Sequence, residues 1–361
     1  MKKKVVVGMS GGVDSSVAAL LLKEQGYDVI GVTMEIWDGG EGYDASLEGG
    51  CCGLSAVEDA RRVCDVLGIP FYVMNFKKEF KEKVVDYFIS EYRHGRTPNP
   101  CIACNRHIKW QALFGRSMEI GADYIATGHY ARVVKLPNGR YTIRKSVTDK
   151  KDQTYVLYNL SQEQLAHTLM PVGDYTKEKV RRIAEEAGLP VAHKSESQDI
   201  CFVPDHDYAG FIERETGKSC QPGEFVDMDG NVLGIHKGIE HYTVGQRKGL
   251  GISAEHPLYI RSIDPETRKI VLAGGDEIFG RNVLVSDVNY MGIEPFSGEE
   301  RFVGKIRYSH KGSECRVCTR GDGMLECLFE EGQRAVTPGQ AVVLYRGEDI
   351  ACGGIIVEAG D

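Results

Sequence analysis

No stretch of this 361-residue chain approaches the roughly 18 consecutive apolar residues that a membrane-spanning helix needs, which excludes a helical span. A secretory leader is also missing, because the apolar run behind the opening lysines, Val5–Val7, stops at Gly8. No segment of 20–50 residues recurs, so a solenoid or propeller is not expected. Positive charge is not in excess: 44 Lys+Arg stand against 52 Asp+Glu, a net charge of −8, which excludes a protein coated in positive potential. At 42 % apolar and 27 % charged residues, the composition also excludes disorder, collagen-like repeats and coiled coil. What remains is a soluble globular chain, long enough for two or three domains. With no export signal the expected compartment is a reducing cytoplasm, where the eleven cysteines read as thiols, metal ligands or catalytic groups rather than disulfides.

The first 135 residues alternate short apolar runs with helical patterns, the signature of a parallel sheet covered by helices. Strands are expected at 5–9, 28–36, 71–75 and 124–127. Helices are expected at 15–25 with Gly26 as C-cap, at 55–67 with Ser55 and Glu58 as a capping box, at 78–93, from Pro100 to Ile120, and at 177–187. Past about residue 205 glycines recur, and short alternating runs such as 257–263, 301–308 and 340–345 are separated by Gly/Asp turns, which indicates small antiparallel barrels or sandwiches. Residues 39–50, rich in glycine and acid, read as mobile.

Charge is uneven along the chain. Residues 1–200 carry 27 Lys+Arg against 26 Asp+Glu, leaving 17 against 26 for the rest, so a polyanion is expected to meet the first half. Two windows stand out: 93–116, with Arg93, Arg96, Arg106, Lys109 and Arg116 and no carboxylate, and 131–151, with seven cations and only Asp149. Each reads either as a phosphate-tracking surface or as a solvated face.

Between the first strand and helix lies Ser10-Gly11-Gly12-Val13-Asp14-Ser15-Ser16. Adjacent glycines let backbone approach a ligand, the free N–H groups of a helix start favour an anion, and the serines add hydroxyls. Asp14 is placed to help position a magnesium ion. The loop has neither the Gly-Lys-Ser/Thr of a Walker A motif nor the third glycine of a dinucleotide fingerprint. The segment reads as a phosphate cradle, or more plainly as a tight turn feeding a capped helix.

Cys101 and Cys104 lie where a Pro-rich loop enters a helix, beside Arg106, His107 and Lys109. That setting favours thiolate and hence a nucleophile, while a zinc knuckle or redox pair is the other reading of Cys-x-x-Cys. Cys315 and Cys318, in strand-like sequence, point to opposite faces. Cys201 alone reads as a core cysteine, and Cys51, Cys52, Cys64, Cys220, Cys327 and Cys352 read as structural.

The loop resembles that of the PP-loop ATP pyrophosphatases, which split ATP into AMP and pyrophosphate to adenylate an oxygen. The ordered set Gly8–Ser15, Asn99-Pro100-x-x-x-Cys104-Asn105, Ala126-Thr127-Gly128-His129-Tyr130, Lys151-Asp152-Gln153, Asp199-Ile200-Cys201-Phe202, Tyr242-Thr243-x-Gly245-Gln246-Arg247-Lys248-Gly249-Leu250-Gly251 and Pro338-Gly339-Gln340 closely resembles the tRNA-specific 2-thiouridylases (MnmA type), from about residue 3 to 357. The resemblance implies an α/β chain in three parts: a doubly wound parallel sheet of the PP-loop kind over 1–205, a small central domain over 206–280 and an antiparallel β-barrel over 281–361. It implies that Gly8, Met9, Ser10, Gly11, Gly12, Val13, Asp14 and Ser15 hold ATP with Mg2+, and that Met34 and Gly128 contact adenosine. Cys201 would carry a persulfide and Cys104 would be the partner nucleophile; Asn99, Pro100 and Cys101 would approach the target base, and His129, Lys151, Asp152, Gln153, Arg307, Tyr308 and Gln340 would contact tRNA. In the motif form most familiar to us, Asp follows Asn-Pro, whereas this chain has Cys101. Three thiols, Cys101, Cys104 and Cys201, therefore also admit an iron–sulfur cluster with one open iron. No pyridoxal phosphate signature is present, so sulfur is expected from a separate donor, a cysteine desulfurase or a relay protein, and a monomer is the default. Two rivals stay open: a PP-loop synthetase for a small metabolite, which gives the cysteines no task, and a metal-thiolate RNA-binding module, which leaves the loop idle.

Overall fold

The computed structural model describes residues 2–37, 54–195 and 200–360. The segment read as mobile at 39–50, Cys51, Cys52 and the Ser197–Asp199 part of the cysteine motif lie outside them.

The alternation of apolar runs and helices yields a five-stranded parallel sheet of β1 (Lys4–Gly8), β2 (Asp28–Glu35), β3 (Phe71–Asn75), β4 (Tyr124–Ala126) and β7 (Thr168–Leu169), in the order β3-β2-β1-β4-β7. β1 is central and buried on both faces: Val5 and Val7 belong to one apolar cluster with α1 (Val13–Glu24), and Val6 to another with Phe76, Phe80, Phe88 and Trp110. The chain winds from β1 outward to β3, then returns to place β4 on the other side of β1. The crevice for a ligand is therefore at the carboxyl ends of β1 and β4.

The helix before the sheet's third strand, α2 (Leu54–Leu67), already includes Ser55 and Glu58, so the expected capping box is not its start. β7, only two residues long, was too short to leave an alternating pattern. A continuous helix runs over 77–93, and another over 100–119, in which the Cys104–Leu113 turns are π-helical. Asn99 caps the second, its Oδ1 accepting from the N–H groups of Cys101 (3.1 Å) and Ile102 (3.3 Å), with Pro100 in the first turn.

β8 (Gly223–Val226), β9 (Val232–His236), β10 (Tyr259–Asp264) and β11 (Lys269–Ala273) form a separate sheet around Phe225, Ile260 and Ile270, in which the β8–β11 pairing is parallel rather than antiparallel. Six antiparallel strands, β12 (Phe279–Tyr290), β13 (Glu299–Lys305), β14 (Ser313–Thr319), β15 (Leu325–Arg334), β16 (Ala341–Arg346) and β17 (Asp349–Gly360), close into a barrel through the β12–β17 pairing. A hairpin from the first half, β5 (Ala131–Lys135) and β6 (Tyr141–Lys145), is attached to β17 at the Arg144–Asp349 register pair. It crosses between the first half of the chain and the barrel.

Candidate active site

The loop after β1 is held open from below. Met9 and Val13 turn their side chains into the core, the Met9 N–H donates to Val32 O (2.8 Å) and Thr33 Oγ1 donates to Met9 O (2.9 Å), which anchors the start of the loop to β2. The Ser15 hydroxyl donates to Gly12 O and accepts from the Ser10 N–H, both at 3.2 Å; Ser16 Oγ donates to Gly12 O at 2.8 Å. Gly11 has φ +66°, and a Cβ built there would lie 2.3 Å from the Ala56 carbonyl oxygen. From β4, Gly128 presses against the start of α1 so closely that a Cβ would lie 2.5 Å from Ser15 N. Gly8 ends β1, and Met34 stands half-buried near the end of β2.

Asp14, expected to help position magnesium, is held by two side chains of the same domain. Lys177 donates to both of its oxygens, at 2.7 and 2.8 Å, and the Tyr130 hydroxyl to Oδ1 at 2.8 Å. Its carboxylate is engaged by that clamp, so a magnesium ion held by Asp14 would have to share it with Lys177. Lys194 reaches the other rim, donating to Gly11 O (3.1 Å) and Asp59 (2.7 Å). Lys177 and Lys194 left no motif-like mark in the sequence; each sits in a stretch readable only as helix or helix exit.

Cys101 is exposed near the helix N-terminus, while Cys104 and Cys201 are half-buried and packed against the same apolar cluster. The structure thus brings Cys104 and Cys201 to one core and leaves Cys101 at the surface. Among the described residues no three His, Cys, Asp or Glu side chains are grouped to hold a metal, so Cys101, Cys104 and Cys201 do not fit an iron–sulfur site. Asn105, buried behind Cys104, donates to Val156 O at 2.8 Å and ties the helix to the 154–157 turn.

His129 is buried, stacked against Trp110, with Nδ1 2.8 Å from Thr127 Oγ1 and Nε2 3.4 Å from Lys109 Nζ. Burial, then the nearby Lys109 charge, pushes its pKa well below 6.5, so the imidazole is neutral and Nε2 accepts from the lysine. Gln153 is bonded through Oε1 to the Tyr130 N–H (2.8 Å), and Asp152 accepts from Thr154 Oγ1 (2.7 Å); Lys151 stands beside them in a short 3-10 turn. On the barrel, Tyr308 is exposed against the Tyr155 ring, and Arg307 donates to Arg334 O. Gln340 donates to Thr97 O (2.9 Å) and Pro98 O (3.4 Å), and the Thr97 N–H donates to Pro338 O (2.9 Å). The barrel thereby grips the loop leading into Asn99.

The basic windows resolve differently from a charge count. Arg106 pairs with Asp287 on β12, Arg144 with Asp349 at 2.6 and 2.8 Å, and Arg132 with Glu348 at 3.2 Å. Arg140 donates to the main chain of Met291 and Tyr290. These guanidinium groups hold the first half to the barrel, and Lys145 adds a contact over the Tyr345 ring at 5.3 Å.

Three family models match the chain in succession. Residues 3–205 match the family model described as tRNA methyl transferase HUP domain, 209–274 that of the tRNA methyl transferase PRC-barrel domain and 280–356 that of the aminomethyltransferase beta-barrel domain. The chain is 60 % identical over 356 residues to the tRNA-specific 2-thiouridylase MnmA of Lachnoclostridium phytofermentans, covering 99 % of this chain and 100 % of that protein. It is 55 % identical to the MnmA of Clostridioides difficile, covering 99 % and 98 % respectively.

Proposed function

This chain is a member of the MnmA family of tRNA-specific 2-thiouridylases, and on that footing we propose that it is a tRNA-uridine 2-sulfurtransferase that converts a wobble uridine to 2-thiouridine with ATP and a cysteine persulfide. The observation that supports this is a loop of glycines and serines at the carboxyl end of β1, in a chain whose two half-buried thiols, Cys104 and Cys201, both pack against the large apolar cluster that contains Val6 of that strand. Residues 1–205 form the catalytic unit, 206–280 a central tRNA-binding or linking domain, and 281–361 the barrel.

Carbon 2 is out of reach in a stacked base, so the uridine is flipped toward the loop. Its O2 attacks the α-phosphorus, the bond from that phosphorus to the oxygen bridging to the β-phosphate breaks, and pyrophosphate leaves with the electron pair while N3 loses its proton. The loop N–H groups and the start of α1 receive the phosphate charge. The Cys104 thiolate then attacks the Sγ of persulfidated Cys201. The sulfur–sulfur bond breaks toward the terminal sulfur, which bonds carbon 2 as AMP departs with its oxygen. A Cys104–Cys201 disulfide remains for an external thiol to reduce. Asn99, Pro100 and Cys101 approach the base, with His129, Lys151, Asp152, Gln153, Arg307, Tyr308 and Gln340 on the tRNA side. Sulfur reaches Cys201 from a cysteine desulfurase or relay protein, and the enzyme works as a monomer in a reducing cytoplasm.

The test is an anaerobic single turnover with unmodified tRNA, ATP-Mg and a persulfide source, scoring 2-thiouridine by mass spectrometry. Product is expected to vanish in Cys104→Ser and Cys201→Ser and to survive in Cys101→Ser. Full product from the Cys201 variant would refute the persulfide route.

A further inference from the structure

Three lysines surround the nucleotide loop, and two have carboxylate partners. Lys177 is spent on Asp14 and Lys194 on Asp59. The third, Lys109, is half-buried, and among the described residues no carboxylate oxygen pairs with it; its hydrogen bond goes to the neutral Nε2 of His129. A cation withdrawn from water without a counter-charge is costly unless a ligand supplies one.

Its position follows from the helix that carries it. The Cys104–Leu113 segment is π-helical, with about 4.4 residues per turn, so Cys104, Lys109 and Leu113 fall on one stripe. At one end of the stripe is the thiol. At the other, Leu113 lies against Gly8 at the end of β1, 3.7 Å from where a Cβ would stand. Between them Lys109 meets His129, whose neighbour Gly128 abuts the Ser15 N–H at the start of α1. The ammonium is thus set between the nucleophile and the phosphate loop, where a nucleotide's α-phosphate must lie if the carbon it activates is to be reached from Cys104.

We propose that Lys109 is a catalytic residue of the adenylation step: its ammonium contacts a non-bridging oxygen of the ATP α-phosphate and neutralises the charge that builds as uridine O2 attacks and pyrophosphate leaves. This rests on the thiouridylase reading above. His129 serves it as a fixed acceptor, its Nδ1–H donating to Thr127 Oγ1 so that Nε2 faces the lysine. Because Lys177 and Lys194 are already neutralised, neither substitutes for it.

The experiment measures pyrophosphate release in a single turnover of the full chain, loaded with persulfide, with unmodified tRNA and saturating ATP. ATP affinity and melting temperature are recorded in parallel for wild type, Lys109→Met, Lys109→Gln and Lys109→Arg. The neutral variants are expected to release pyrophosphate about 100-fold more slowly, with ATP affinity changed less than about threefold, and Lys109→Arg to regain about tenfold of the loss. The proposal is overturned if a neutral variant releases pyrophosphate at the wild-type rate, or if release is normal and only sulfur transfer fails. Equal loss of melting temperature in all three variants, with no rescue by arginine, also overturns it, since that marks a packing role. A wild-type chain that forms no 2-thiouridine refutes the functional reading itself, independently of Lys109.

Discussion

Replacing Gly128 by alanine adds one methyl group at the junction of β4 and α1, and the geometry sets its cost. The new Cβ would stand 2.5 Å from Ser15 N, 2.6 Å from the Asp14 carbonyl carbon and 2.9 Å from its oxygen, all main-chain atoms with no rotamer to yield. Ordinary contact begins near 3.4 Å, so the start of α1 and the 127–129 segment must part by close to an ångström. Overpacking of this kind costs about 1–3 kcal/mol in stability. The displaced atoms are the N–H groups offered to the phosphates, and misplacement by about 1 Å costs on the order of 100-fold in a positioned reaction. Titration of Gly128→Ala with ATP should therefore show affinity reduced about tenfold or more, with a lowered melting temperature. Gly115→Ala is the comparison: its Cβ meets nothing within 4 Å and it lies inside a helix, so it should gain about 0.5–1 kcal/mol and bind ATP normally. If Gly128→Ala binds ATP as tightly as Gly115→Ala, the close approach of β4 to α1 does not shape the phosphate site.

Other outcomes follow from neighbouring contacts. Lys177→Met strips Asp14 of two charge-assisted bonds; with Asp14 31 % exposed the penalty for a fully buried pair shrinks to about 1–2 kcal/mol, read as a lower denaturation midpoint. Gln340→Ala removes the hold on Thr97 and Pro98 and should lower the rate of thiolation while leaving ATP affinity unchanged; an unaltered rate would show that the loop is held well enough by Thr97 and Pro338 alone. His129 is neutral when folded and takes up a proton on unfolding below pH 6.5, so its contribution to stability is complete above that pH and is lost as the solution is acidified toward its depressed folded value. The unfolding free energy should be level near pH 7.5 and fall by up to about 1.4 kcal/mol per pH unit below pH 6.5 for this group, and His129→Gln should flatten that slope; an unchanged slope would assign it to His236 and His310, whose pKa values burial also lowers.

The parallel sheet was legible because Val5–Val7 and its counterparts are buried on both faces and leave unbroken apolar runs. The loop at 10–16 was legible because its glycines are demanded locally, by a positive φ at Gly11 and by contact with Ala56. What the sequence hid depends on partners far along the chain. The hairpin of β5 and β6 takes its place from a strand some two hundred residues later, and a window of arginines looks the same whether it awaits a polyanion or Asp287 and Asp349. The engagement of the Gln340 amide with Thr97 and Pro98 is likewise a contact no local pattern announces. Lys177 and Lys194 escaped notice for the same reason, since each matters only through a carboxylate in another element.

The grip of residues 338–340 on the loop before Asn99 also has a bearing on synthesis. A ribosome delivers the chain from residue 1, so all five strands of the parallel sheet are out by residue 169. The segment that steadies the approach to Cys104 follows only after another 170 residues, and the strand that closes the barrel ends at Gly360. The glycine-rich loop after β1 is therefore synthesised long before the segment that holds the approach to Cys104. On the reading proposed above, the two halves of the reaction depend on parts of the chain that are made at opposite ends of synthesis.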